Sequence, residues 1–94
     1  MSSSAVDHER TVAIRNQYGL HARPAAEFVK LATRFRSDVW VRKDDLEVNG
    51  KSIMGVMMLA AEHGSQITIR ASGEDAFAAV EQLAQLVENG FGEE

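Results

Sequence analysis

The sequence predicts an α+β domain, a two-layer open-faced sandwich in which three helices cover one face of a four-stranded antiparallel sheet. Three observations point there. Apolar residues alternate with polar ones in four short segments, as in strands with one face packed and the other open to water. Two longer segments repeat apolar residues at helical spacing instead. The elements run βαββαβα over 94 residues, a length that supports one core and one domain, residues 1–94.

Residues 1–8 are small and polar and predict a frayed tail, with His8 solvated. Residues 9–16 alternate, with Val12 and Ile14 on one face, and predict the first strand. Asn16-Gln17-Tyr18-Gly19 then turns the chain, and Gly19 is free to take a positive φ. Residues 22–35 predict a helix whose packed side holds Ala25, Phe28, Val29, Leu31, Ala32 and Phe35. Residues 37–43 alternate again, with Val39 and Val41 inward and Trp40 on the open face as sheet packing. Asp44-Asp45 connects to a short strand over residues 46–49. Ser52 is placed to cap a short helix that runs on through Met58, and Glu62-His63-Gly64-Ser65 closes it, with His63 as a dipole partner. Residues 66–71 form the last strand, and residues 76–88 a final helix in which Phe77 joins Ala76, Val80, Leu83, Ala84 and Val87 against the sheet. A short acidic tail follows Asn89-Gly90.

The bulk composition excludes several functions. There is no cysteine, which removes disulfides and thiolate chemistry, and three scattered histidines make no metal cluster. A net charge of −4 without a basic run argues against a nucleic-acid partner. No apolar run approaches the roughly 18 residues that cross a bilayer, and the first residues lack the charge and apolar stretch of a secretory signal, so no membrane insertion and a cytoplasmic location are expected. Folding at this size buries only about 60–65% of the chain's surface, which leaves little room for a deep enclosed site. No cofactor and no stand-alone catalytic constellation are expected.

The chemistry concentrates in two stretches. In Gly19-Leu20-His21-Ala22-Arg23-Pro24-Ala25, the histidine stands at the mouth of a helix and the only proline falls in its first turn. A proline is harmless there, because early helix N–H groups have no intrahelical partner to lose. His21 therefore sits beside free donors and the positive end of the helix dipole, a place for an anion. The second stretch, Lys51-Ser52-Ile53-Met54-Gly55-Val56-Met57-Met58, is apolar nearly all round. A short helix on a two-layer domain buries one stripe only. Some of Ile53, Met54, Met57 and Met58 are thus expected at the surface, where flexible methionines suit protein partners. Core filling is the alternative.

Both motifs, in order, in a βαββαβα chain of this length resemble the HPr family, the histidine-containing phosphocarriers of the bacterial phosphotransferase system. The resemblance covers roughly residues 9–91 and implies sheet order 1-4-2-3. It implies that His21 takes a phosphoryl group at Nδ1 from phosphorylated enzyme I and passes it to an enzyme IIA domain. Arg23 would steady that group. Ser52 matches the serine modified by HPr kinase/phosphorylase, and Leu20, Ile53, Met54 and Met57 match the docking surface. A monomer is expected. Tyr18 and the ending Glu88-Asn89-Gly90-Phe91-Gly92-Glu93-Glu94 resemble the nitrogen-related branch, whereas the segment after Lys51 resembles the sugar-system type, and the branch stays open.

Two other readings compete. A purely regulatory adaptor of this fold would work through Ser52 and docking alone, but such relatives are expected to lack the histidine. A small anion-binding domain would use His21 only at a helix start, and leaves the second motif unexplained.

Overall fold

The computed structural model describes residues 7–93. Its elements are β1 (Asp7–Ala13), α1 (Ala22–Ala32), β2 (Asp38–Lys43), β3 (Leu46–Asn49), α2 (Ile53–Met58), β4 (Gln66–Ser72) and α3 (Ala76–Glu88), with a 3₁₀ turn at Gly90–Gly92. The strands form one antiparallel sheet in the order β1-β4-β2-β3. The open-faced sandwich and its sheet order are those expected.

Alternation decides which side of the sheet is wet. Val12, Val39, Val41, Ile67, Ile69 and Ala71 are buried and meet Phe28 of α1 and Leu83 and Val87 of α3 in a single core. The opposite face carries polar cross-strand pairs. The hydroxyls of Thr11 and Thr68 lie 2.8 Å apart. The Arg70 guanidinium sits 4.1 Å from the centroid of the Trp40 ring, so Trp40 is occupied in sheet packing as predicted.

Several boundaries differ from the sequence reading. The strand begins at Asp7, so Asp7 and His8 belong to β1 rather than to a tail; the rest of the expected tail lies outside the described residues. His8 is half-buried and meets the Phe77 ring edge-on, with centroids 5.2 Å apart. Phe77 is 60% exposed and does not face the sheet. It lies one step of about 100° from Ala76 around the helix, off the buried stripe. α1 ends at Ala32, where Arg34 and Phe35 donate to Leu31 and Ala32 carbonyls, tightening the last turn into i→i−3 bonds. α2 stops at Met58, and Ala60 takes a positive φ of 48°. His63 therefore stands in a turn, four residues beyond the cap residue Leu59, and does not serve that helix's dipole.

One polar clamp ties α3 to the loop before β2. Asp75 accepts from the Ser37 hydroxyl at 2.6 Å, from Ser37 N at 2.9 Å and from Arg36 N at 2.9 Å. Charge-assisted bonds of this kind favour the ionised carboxylate. The Ser37 hydroxyl, then the Arg36 amide, hold the Asp75 carboxyl down at about 2.

Candidate functional site at the start of α1

The turn before α1 is fixed by contacts that reach across the chain. Gly19 has φ +69°, and a Cβ there would meet the Ala61 carbonyl oxygen at 2.3 Å. Only glycine allows that approach. Leu20 N then donates to the same carbonyl at 2.9 Å. Ala61 is itself held in a segment stapled to the end of the first strand, because Gly64 N donates to Ile14 O and Ile14 N donates to Ser65 O, each at 2.8 Å. Leu20 points inward at 5% exposure and is a core residue, not part of a docking surface.

His21 is the N-cap residue of α1, with extended backbone and no side-chain capping bond. Ala25 N donates to His21 O, and Pro24 has no N–H, so Ala22 and Arg23 present the free amides of the first turn. The His21 ring is thus not spent on capping the helix. Its side chain is 42% exposed. The Tyr18 ring approaches it edge-on, with centroids 6.2 Å apart. Arg23 is exposed and makes no ion pair among the described residues. His21 and Arg23 open onto a surface cleft of about 710 Å³ shared with Tyr18, Glu27, Phe91 and Glu93. The cleft is open to the surface.

One neighbour went unread in the sequence. Glu93 brings both carboxylate oxygens to 3.3 Å from His21 Nε2. Glu93 is held in turn by Asn16, whose Nδ2 donates to Glu93 Oε1 at 3.1 Å and to Gly19 O at 2.7 Å. The acidic ending reads as a solvated tail because no periodicity links it to a residue 72 positions earlier. The signal available was Gly90-Phe91-Gly92, which turns the chain back with positive φ at all three residues.

The second motif forms α2 as predicted. Ser52 caps it, its Oγ accepting from Gly55 N at 3.0 Å. Val56 and Leu59 face inward, while Ile53, Met54, Met57 and Met58 are exposed, Met54 at 74%. α2 packs beside α1. Among the described residues no group of three or more His, Cys, Asp or Glu could hold a metal ion, and no helix is long and apolar enough to cross a membrane.

The comparison with known families bears on both motifs. Residues 8–89 match the family model described as the PTS HPr component phosphorylation site. The chain belongs to the HPr family. The phosphocarrier protein HPr of Neisseria meningitidis is 46% identical over 85 residues, covering 90% of this chain and 96% of that protein. The HPr-like protein Crh of Bacillus subtilis is 50% identical over 80 residues, covering 85% of this chain and 94% of its own length. Among solved structures, HPr of Thermoanaerobacter tengcongensis superposes with a TM-score of 0.89 at 48% identity, over 93% of this chain and 98% of that one. HPr-family proteins are phosphocarriers of the phosphotransferase system rather than enzymes in their own right. The Thermoanaerobacter HPr and the Bacillus Crh each have a solved structure of a dimer, so membership of the family does not imply the expected monomer.

Proposed function

We propose that His21 carries a phosphoryl group between two proteins, accepting it at Nδ1 from phosphorylated enzyme I and delivering it to an enzyme IIA domain. The observation that carries this reading is the placement of His21. It is a half-exposed imidazole at a helix start, with its ring not spent on capping, beside two backbone amides free of helix partners and an arginine that makes no ion pair among the described residues.

Neutral imidazole is a nucleophile near neutral pH, and its bond to phosphorus is labile enough to be passed on. The group that arrives bears about two negative charges. The helix dipole offsets these by only about 0.3–1 kcal/mol at an exposed site, so direct bonds from the Ala22 and Arg23 amides and the Arg23 guanidinium matter more. Phosphoryl transfer depends on positioning and charge stabilisation, and an open cleft leaves half of that to the partner. The exposed Ile53, Met54 and Met57 beside the site supply the surface on which such a partner docks.

Ser52 is the regulatory site in this reading, modified by an HPr kinase/phosphorylase. A phosphoryl group there adds about −1.5 to −2 charges at a helix start, which tolerates them, but places a dianion against the apolar docking surface. The expected effect is weaker docking of the phosphoryl donor, without unfolding.

The test is incubation with phosphoenolpyruvate and enzyme I, followed by intact mass and acid stability. One acid-labile phosphate that disappears in His21→Ala is expected; no transfer to wild-type protein would sink the carrier reading. With ATP and an HPr kinase, an acid-stable phosphate should form in His21→Ala and be absent in Ser52→Ala. The 50% identity to Crh, described as the catabolite repression HPr of Bacillus subtilis, supports a second reading, a regulatory adaptor, and Ser52 modification without any at His21 would favour it.

A further inference from the structure

Resting on the carrier reading, we infer that Glu93 is a positioning residue for the phosphoryl-accepting histidine. Both Glu93 oxygens lie 3.3 Å from His21 Nε2, a contact only the Nε2–H form of the ring satisfies. Binding that proton leaves the lone pair on Nδ1, the nitrogen that must attack phosphorus. The carboxylate is itself constrained. Its side chain is only 19% exposed, and Asn16, at 2% exposure, grips Oε1 through Nδ2 while bonding Gly19 O. Among the described residues the Asn16 Oδ1 atom has no partner, so the bonds that orient this buried amide there are those of its Nδ2 donors, one of them spent on Glu93. A buried amide, a half-buried carboxylate and an exposed imidazole thus form a chain that ends at the reacting atom.

The same contact changes value during transfer. The Nδ1 lone pair forms the N–P bond as the bond between phosphorus and the donor breaks, and the donor's leaving group departs with that electron pair. The ring keeps its Nε2 proton and becomes a phosphoimidazolium. Its positive charge then faces the Glu93 carboxylate, which turns a hydrogen bond between a neutral ring and a carboxylate into an ion pair. In the forward transfer to an acceptor, the Nδ1–P pair returns to the ring and neutral Nε2–H imidazole is restored. Glu93 neither gains nor loses a proton. Arg23 and Glu27 of α1 and Tyr18 line the same cleft, and among the described residues the partner of Nε2 is Glu93 rather than any of these three.

The experiment uses the full chain labelled with ¹⁵N in its histidines, as wild type, Glu93→Gln and Glu93→Ala. In mildly alkaline buffer the ¹⁵N shifts report the tautomer of each ring. The wild type is expected to hold His21 almost wholly as Nε2–H, and Glu93→Ala to move it towards a mixture, with His8 and His63 unchanged as internal references. Initial phosphorylation by phosphoenolpyruvate and enzyme I should fall about three- to tenfold in Glu93→Ala, with Glu93→Gln between the two. That range is what a partly exposed charge-assisted bond is worth. A His21 tautomer and a rate both unchanged within twofold in Glu93→Ala would overturn the inference. Absence of phosphorylation in the wild type would instead overturn the carrier reading, whatever the tautomer.

Discussion

Adding one methyl group at Gly19 should be among the most damaging small changes to this domain. The residue has φ +69°, and the new Cβ would stand 2.3 Å from the Ala61 carbonyl oxygen and 3.0 Å from the Glu62 Cα. Both neighbours are backbone, so no side-chain rotation relieves the contact. The left-handed conformation costs an L side chain about 1–2 kcal/mol. Moving the carbonyl away sacrifices its bond from Leu20 N, at 2.9 Å, and an orphaned buried donor costs about 1–3 kcal/mol. Gly19→Ala should therefore lose about 2–5 kcal/mol, which for a domain of this size lowers Tm by about 4–8 °C per kcal/mol. Gly64→Ala is the matched control: φ is +89°, yet nothing lies within 4 Å of the added carbon, so only the conformational cost of about 1–2 kcal/mol remains. Urea unfolding of the two variants, with equal m-values, separates the terms. Equal losses would show that the approach to Ala61 carries no energy, and a Gly19→Ala loss below about 1 kcal/mol would refute both terms.

Other perturbations are simpler to state. The Asp75 carboxyl, ordinarily near 3.8, is held at about 2 by Ser37 and Arg36. The native state thus binds fewer protons than the unfolded chain in this window. The stabilisation is complete above about 3.8 and lost as pH falls through about 2. The denaturant midpoints of wild type and Asp75→Asn should accordingly differ at neutral pH and converge in that acid range; a gap that stays constant would show that ionisation is not what stabilises the clamp. Ser52→Ala removes the cap on Gly55 N and should cost about 0.5–2 kcal/mol in thermal unfolding while leaving phosphorylation of His21 within twofold. Met54→Asp replaces a side chain that is 74% exposed, so stability should change by no more than about 0.5 kcal/mol. Calorimetric affinity for the phosphoryl donor should nevertheless fall about tenfold, as for loss of a central contact; unaltered binding would remove Met54 from the docking surface.

The elements that depend on a local pattern were legible in the sequence. α3 spans Ala76–Glu88, the predicted range, because an apolar stripe runs its length and Asn89-Gly90 stops it. Ser52 as a cap and Gly19 at positive φ followed from residue chemistry alone. What escaped depends on who sits opposite. Leu20, matched to the docking surface through the resemblance, is buried because its turn is tied to Ala61, 41 positions on. His8 reads as solvated because it falls in a small, polar stretch, and nothing local signals that the exposed Phe77 ring covers it. Glu93 is the clearest case, since a carboxylate in a polar ending carries no sign of the imidazole it meets.

The order of the sheet has a kinetic meaning. β1 pairs with β4, so Asp7 finds Ser72 and Ala13 finds Gln66 only after the intervening chain has been arranged. Pairings of such long sequence separation raise contact order and slow folding relative to a helical bundle of equal length. The histidine's surroundings are assembled from the same distant parts, Asn16 near one end of the chain and Glu93 near the other. A chain emerging from the ribosome therefore exposes the His21 motif early but completes its setting last. The contact between His21 and Glu93 is consequently a record of tertiary assembly, present only in molecules in which these two distant segments have met.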